Sequence, residues 1–398
     1  MAGQVRHPID TAALERYISQ NVPEIKIPLD VKQFGFGQSN PTYQLTAADG
    51  AKYVLRKKPP GKLLSQAAHK VEREYRVIAA LSAHRTPVAV PVPRAHALCE
   101  DAAVLGTPFY IMSFVGGRIF EDAAIPSATS PTERTALWRA AVEALASLHR
   151  VDADAAGLGS FGKKGGFYGR QLATWRTICS AQARTTDVET GEPVGEIPHM
   201  GELMAFFEDE ARRPRDRATL VHGDYKIDNV VFDAEEAKVA GILDWEMSTI
   251  GHPLSDLANL LHPFVSAELS SSSPNPSSPS SPSTSTKTET ETAALAAVSH
   301  PGFLPNATPG LPTPADVISW YAAAAGWTPT ADEVAWACAF SVFRLAAICQ
   351  GIAARVATRQ ASSAQARRHA AAMRPLGEFA WVLVGRQLEK RKGGVAKL

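Results

Sequence analysis

The run Val221-His222-Gly223-Asp224-Tyr225-Lys226-Ile227-Asp228-Asn229, with Ile242-Leu243-Asp244-Trp245-Glu246 after it, constrains this chain more than any other stretch. Leu220 and Val221 lead into a loop, and Val230, Val231 and Phe232 leave it as a short strand. Val239 to Leu243 reads as a second strand, ending on Asp244. The Asp233–Lys238 connection is too short for a parallel crossover, so the two strands form a hairpin. Asn229 enters the first strand and Asp244 leaves the second. Both therefore stand at the hairpin's open end, close enough to share one cation. A lone aspartate in a loop is usually a turn or cap residue. His-Gly-Asp, an asparagine five positions on and a strand-ending aspartate fifteen further are a far narrower requirement.

These residue types suit the transfer of a phosphoryl group from ATP to a hydroxyl. That reaction needs Mg²⁺ held by oxygen ligands, a carboxylate at the acceptor hydroxyl and positive charge on the phosphates. Asp224 would orient the hydroxyl and accept its proton, and Lys226 could reach the transferring phosphoryl. Asn229 and Asp244 would hold the metal. His222 is expected to fix the loop by hydrogen bonding rather than act as a base, and Gly223 to allow a backbone conformation barred to larger residues.

The pattern His-Gly-Asp-x-x-x-x-Asn followed by Ile-Leu-Asp-Trp-Glu resembles the aminoglycoside phosphotransferase/choline kinase branch of the protein-kinase-like superfamily. Three stretches look more narrowly like the kinase-like domain attached to certain acyl-CoA dehydrogenases: Tyr53-Val-Leu-Arg-Lys-Lys-Pro-Pro-Gly61, Glu74-Tyr-Arg-Val-Ile78 and Gly251-His-Pro-Leu-Ser-Asp-Leu257. The resemblance runs from about Phe34 to the last helices. It implies a two-lobed α+β kinase-like fold, with a small, mostly antiparallel, nucleotide-binding lobe over 1–112 and a larger helical lobe, catalytic and substrate-binding, over 113–398. By the same resemblance Asp224 is the catalytic-loop aspartate, Asn229 and Asp244 are the metal-binding pair, and Asp256 braces the catalytic loop as structural support. The implied acceptor is a hydroxylated acyl-CoA. The rivals are an aminoglycoside or choline-type acceptor, and a pseudokinase that binds nucleotide without turnover. Aminoglycosides are polycations and call for an acidic cleft, whereas CoA calls for a basic one.

In chain order, Thr11 to Gln20 reads as a helix, and Val31 to Lys57 as three antiparallel strands with turns at Gly35, Gly37 and Ala48-Asp49-Gly50. The Gly35-Phe36-Gly37-Gln38-Ser39-Asn40 loop is expected over the nucleotide phosphates. Gly35 and Gly37 would let the backbone approach, and Ser39 and Asn40 would add donors; the glycine pair alone is a weak signal. The third strand ends Val54-Leu55-Arg56-Lys57-Lys58. In the wider superfamily a lysine here holds the α- and β-phosphates. Arg56 is the aligned residue, and arginine can grip phosphate bidentately. Whether Arg56, Lys57 or Lys58 does so stays open. Glu74, on a helix from Ser65 to Ser82, would pair with that cation. Pro87 to Pro93 reads as a linker and Val104 to Phe114 as two short strands. The backbone of Met112 to Phe114 is expected to contact adenine.

The larger lobe is expected to hold helices over Pro131–Arg150, Gln171–Ala183, Gly201–Arg213, from Ser255 or Asp256 through Leu261, and near Ala315–Ala325, Ala331–Thr358 and Ala364–Arg391. Arg170, Trp175 and Arg176, with Lys163 and Lys164 nearby, form a basic-aromatic group that could meet an anionic substrate. Ser270 to Thr292 is nearly all Ser, Pro and Thr, and reads as a disordered insertion at 270–292. A flexible tail is expected over 392–398.

Composition narrows the remaining classes. Forty-one basic against forty acidic residues give net charge +1, which is no electrostatic footprint for nucleic acid. With 398 residues, 45% hydrophobic, the chain can build two cores. Cys99, Cys179, Cys338 and Cys349 have no paired spacing and suggest free, buried thiols in a reducing compartment. Met1 to Asp10 lacks the apolar run of a secretory signal. Trp336 to Ala354 is interrupted by Arg344 and Gln350 and reads as a core helix rather than a membrane span. Ala396-Lys397-Leu398 resembles the peroxisomal address Ser-Lys-Leu. It would engage the peroxisomal import receptor, and without it the chain would stay cytoplasmic.

Overall fold

The computed structural model describes residues 2–3, 8–35, 40–59, 70–83, 88–271, 298–361 and 365–395. The chain forms two compact units. The first comprises Met1–Asp122, Arg139–Gly162 and Thr219–Ile250, and the second Ala123–Trp138, Lys163–Ala218 and Gly251–Leu398. These units divide the chain differently from the segments 1–112 and 113–398, because the hairpin between Asn229 and Asp244 is bonded to the chain around the sheet. Arg118 and Phe232 exchange two backbone hydrogen bonds of 2.8 Å, and the Ile242 amide donates to the Pro91 carbonyl at 2.9 Å. Gly117 makes the close approach possible: its φ is +148°, and a Cβ there would lie 2.0 Å from the Phe232 carbonyl oxygen.

In the first unit, strands β1 (Ala2–Gly3), β2 (Asp30–Phe34), β3 (Thr42–Thr46), β4 (Lys52–Lys57), β5 (Ala95–Cys99) and β6 (Phe109–Ser113) form a six-stranded sheet in the order β1-β2-β3-β4-β6-β5. Every pairing is antiparallel. Helix α1 (Thr11–Asn21), capped by Asp10, covers one face. Its Leu14 and Ile18 join Tyr43, Leu45, Leu55, Phe109 and Ile111 in a buried cluster, so alternation along β3 sends alternate residues into one core. Helix α2 (Val71–Ser82) buries Val71, Glu74, Val77, Ile78 and Leu81; residues 65–69 of the expected helix lie outside the described residues.

One expectation in this unit fails. Val104 and Leu105 belong to the short helix α3 (Ala102–Leu105), not to a strand, and the strand beside β6 on the side away from β4 is Ala95–Cys99. The Asp101 carboxylate accepts the Ala103 amide at 2.8 Å, and Gly106 at φ +84° closes the turn. A local cap thus overrides the strand preference of Val104.

Helix α4 (Pro131–His149) contributes residues to both units. The second unit is built on α5 (Phe167–Ala183), α6 (Met200–Glu208), α7 (Leu254–Leu260), α8 (His262–Ser271), α9 (Pro314–Ala325), α10 (Ala331–Ala357), α11 (Ala366–Ala371) and α12 (Met373–Val395). Helix α10 is long and apolar enough to span a membrane by length and composition. Here Trp336, Phe340 and Phe343 are buried on it, with Tyr168 of α5 4.6 Å and Phe207 of α6 5.2 Å from the Trp336 ring. It is a core helix, as expected.

Helix α5 starts at Phe167, four residues before the expected Gln171, and three further boundaries differ from expectation. Helix α6 stops at Glu208 rather than Arg213, where Asp209 caps a turn and Arg213 donates to the Phe207 and Glu208 carbonyls. The helix expected from Ala364 to Arg391 breaks at Ala372 into α11 and α12. Helix α12 then continues through Val395, so the expected tail is helical over 392–395 despite two glycines. The first two residues of the expected 270–292 insertion end α8; the remainder lies outside the described residues, as do Ala396-Lys397-Leu398.

Candidate active site

The expected hairpin forms between β8 (Val230–Phe232) and β9 (Val239–Ile242), after β7 (Thr219–Val221). Val230 faces Ile242, and the Leu243 amide donates to the Asn229 carbonyl at 2.9 Å, so Asn229 and Asp244 flank the open end. His222, fully buried, crosses this end: its Nε2 lies 2.7 Å from the Leu243 carbonyl and its Nδ1 accepts the Asp224 amide at 3.3 Å. Those partners set the neutral tautomer protonated on Nε2. Gly223 has φ +89°, and a Cβ on it would stand 2.5 Å from the Met247 carbonyl oxygen. Both the conformation and the space therefore require glycine, as expected.

Asp224 is partly exposed. The Asn229 amide nitrogen donates to the Asp224 carbonyl at 2.8 Å and to its Oδ2 at 3.2 Å, which turns the Asn229 Oδ1 the other way as an acceptor. Lys226 Nζ lies 3.1 Å from Asp228 and 3.6 Å from Asp224. These charges raise the Lys226 pKa against the opposing effect of burial. Asp244 sits in the left-handed region at φ 63°, ψ 61°, on the turn Trp245–Met247. Trp245 anchors that turn: it is fully buried, donates to the Ile242 carbonyl at 2.9 Å and packs edge-on against His222 at 4.8 Å.

The three strand-end cations have different partners. Arg56 Nη1 donates to Glu74 Oε1 at 2.8 Å and Nη2 to Asp244 Oδ1 at 2.8 Å, with Glu246 at 3.5 Å. Lys57 turns the opposite way, to the Leu105 carbonyl at 2.6 Å, and Lys58 pairs with Glu72. Only Arg56 among the three reaches the carboxylates of the site. Arg56 is buried with Glu74 and Tyr110, while Asp244 is partly exposed; burial would lower the Arg56 pKa, but Glu74, Tyr110 and Asp244 hold it well above the ordinary value. Glu74 is fully enclosed, and burial pushes its carboxyl up to about 7 even beside Arg56.

Residues expected at the nucleotide are bonded within the sheet. Met112 lies inside the sheet between Val54 and Ala95, the Ser113 amide donates to the Arg94 carbonyl at 2.8 Å, and the Phe114 amide to the Lys52 carbonyl at 3.2 Å. The Ser113 and Phe114 amides are therefore already engaged. Val115 and Gly116, next along the chain, are the first positions whose backbone makes no such bond among the described residues. Asn40 is buried, with its side-chain amide donating to Glu246 at 3.3 Å. Gly35 is exposed; Gly37 and Ser39 lie outside the described residues.

In the second unit, Asp256 is fully buried on α7. Arg170 is tied to the Gly165 and Lys163 carbonyls and Arg176 to Glu208, so both guanidinium groups of the expected basic-aromatic group already have protein partners. Glu246 and the fully buried Tyr110, opposite Arg56 in the β4–β6 register, had drawn no role from sequence. The position of Glu246 two residues past Asp244 on one short turn was the available signal.

Comparison with known proteins supplies the context for this geometry. The model of the phosphotransferase enzyme family matches residues 30–272. Acyl-CoA dehydrogenase family member 11 of Rattus norvegicus is 36% identical over 390 residues, 97% of this chain and 44% of that protein. A probable acyl-CoA dehydrogenase of Arabidopsis thaliana, IBR3, is 43% identical over 278 residues, 67% of this chain and 32% of that protein. The chain thus spans less than half the length of these curated relatives. A Ralstonia eutropha structure, named for aminoglycoside phosphotransfer, superposes with a TM-score of 0.74 at 35% identity, covering 95% of this chain and 99% of that one. The GDP complex of aminoglycoside 2'-phosphotransferase-IIIa, at 14% identity and TM-score 0.55, shares the fold. The chain belongs to the phosphotransferase enzyme family and has its protein-kinase-like α+β fold, a small-molecule kinase by class.

Proposed function

We propose that this chain transfers the γ-phosphoryl group of ATP, with Mg²⁺, to the hydroxyl of a hydroxyacyl-CoA. The carrying observation is that Arg56 is held by Glu74 and aimed at Asp244, beside the Asp224–Asn229 loop. Asp224 orients the acceptor hydroxyl and takes its proton as the new O–P bond forms and the bond from the γ-phosphorus to the β–γ bridging oxygen breaks, leaving ADP. Lys226, poised at Asp224 and Asp228, meets the transferring phosphoryl. Arg56 carries positive charge to the α- and β-phosphates, and Val115–Gly116, whose backbone makes no backbone hydrogen bond among the described residues, is offered to the base. Asn229 Oδ1 and the Asp244 carboxylate are hard oxygen donors that suit Mg²⁺, which takes one or two protein oxygens alongside phosphate and water. When bound, the metal neutralises charge on the phosphate oxygens. His222 supports the loop, and Asp256 is assigned a structural role.

The acceptor assignment draws on the relatives named as acyl-CoA dehydrogenases, whose matching part corresponds to this chain. The Ralstonia relative favours an aminoglycoside as the competing acceptor. The test is ADP release from Mg-ATP with a panel of hydroxyacyl-CoAs, aminoglycosides and choline, alongside Asp244→Ala. Stimulation by hydroxyacyl-CoA alone, abolished in the variant, supports the proposal. Stimulation by aminoglycosides alone overturns the acceptor, and ATP binding without turnover on any acceptor would favour a pseudokinase.

A further inference from the structure

We propose that Glu246 is a positioning residue for the nucleotide, acting through Asn40 and Arg56; this rests on the nucleotide-binding reading above. Asn40 is fully buried just before β3, with its backbone carbonyl accepting from Thr42 Oγ1 at 3.0 Å and its side-chain amide donating to Glu246 Oε2 at 3.3 Å. The same carboxylate oxygen lies 3.5 Å from Arg56 Nη2. Thr42 is opposite Arg56 in the β3–β4 register, so Asn40 and Arg56 occupy neighbouring strand ends. One oxygen of Glu246 therefore ties both ends to the turn that carries Asp244.

The turn itself cannot easily yield. Buried Trp245 fixes it from below, the Ser248 hydroxyl and amide both donate to the Trp245 carbonyl, at 2.6 and 3.1 Å, and Met247 abuts Gly223. Asp244 and Glu246 share Arg56 Nη2, and Asp244 is also the proposed metal ligand. A carboxylate engaged with a metal pulls less on a guanidinium. Glu246 keeps Nη2 aimed while Asp244 serves the metal, and a partly buried charge-assisted network of this kind is sensitive to each member.

The test uses Mg-ATP affinity of the full chain, measured by titration calorimetry without acceptor, with thermal unfolding in parallel. Glu246→Ala should weaken affinity about tenfold, the scale of one charge-assisted hydrogen bond. Asn40→Asp sets two carboxylates face to face and should weaken it as much. The pair Asn40→Asp/Glu246→Gln restores the contact with donor and acceptor exchanged, and should recover affinity to within about threefold of the original. A bystander of folding would not give that recovery. Unchanged affinity in Glu246→Ala, or a double variant no better than Asn40→Asp alone, overturns this inference while leaving the kinase assignment standing. No Mg-ATP binding by the unaltered chain overturns both.

Discussion

His222 and Leu243 are joined by a 2.7 Å hydrogen bond, from the imidazole Nε2 to the backbone carbonyl just before Asp244. Because the Nδ1 of the same ring accepts the Asp224 amide, one buried side chain sets the spacing between the proposed base and a proposed metal ligand. Replacing His222 with alanine orphans a carbonyl and an amide. The expected loss is about 1–3 kcal/mol of stability, seen in chemical denaturation, with phosphotransfer falling at least as steeply. Full stability in His222→Ala would show that the ring is not a strut.

Gly223→Ala should be worse than a change of one methyl suggests. The φ of +89° is strained for alanine, and the added carbon meets the backbone of Met247 at 2.5 Å. Something must shift, and the neighbours on that side are the Asp244 turn. The expected outcome is a loss on the order of 1–3 kcal/mol in stability, with acceptor-dependent ADP release reduced further than ATP affinity. Wild-type kinetics in this variant would place the loop elsewhere.

Asp224→Asn keeps the shape and the contact with Asn229 but removes the proton acceptor. General-base removal costs about 10²–10⁴ in rate, so kcat should fall by that factor. ATP affinity should hold, since Arg56, Asn229 and Asp244 are untouched. Stopped-assay turnover together with equilibrium ATP binding separates the two effects, and undiminished turnover would exclude Asp224 as base.

Much of this was legible in sequence because the informative residues are local. The hairpin follows from a short link between two apolar runs, and the Gly223 requirement from a glycine between His222 and Asp224. The Arg56–Glu74 pair was also expected, and it forms at 2.8 Å. What escaped was non-local. Asn40 and Glu246 lie 206 residues apart and meet only once the sheet and the turn pack together. The Ser113 and Phe114 amides, within the stretch expected at adenine, are bonded to the Arg94 and Lys52 carbonyls, since register is settled between strands rather than along one. Val104 misled because its local preference lost to the Asp101 cap and Gly106 turn.

Glu74 makes stability depend on pH in an uncommon direction for a carboxylate. Burial raises its pKa from the usual 4.5 to about 7, with Arg56 opposing. Between those values the folded chain binds the proton that the unfolded chain has released, so this contribution is full below about pH 4.5 and is lost as pH rises through 7. Glu74→Gln removes the titration and keeps an acceptor for Arg56. The stability of wild type relative to this variant should fall from pH 5 to pH 8, by at most roughly 3 kcal/mol at 1.36 kcal/mol per pH unit. Denaturant midpoints at the two pH values check it, and a difference that rises or stays flat contradicts the assignment.

Arg56→Lys addresses why arginine stands where the superfamily has lysine. The guanidinium uses two nitrogens, one on Glu74 and one on Asp244, each at 2.8 Å. A single ammonium cannot reproduce that fork, so it must favour one carboxylate. ATP KM should rise about tenfold, as for the loss of one charge-assisted bond, with a smaller change in kcat. Lys57→Met is the contrast. Its ammonium is buried against the Leu105 carbonyl, away from the site, so ATP KM should stay put while stability changes. If Lys57→Met raised ATP KM and Arg56→Lys did not, the phosphates would lie on the other side of β4 and the assignment of Arg56 would fall.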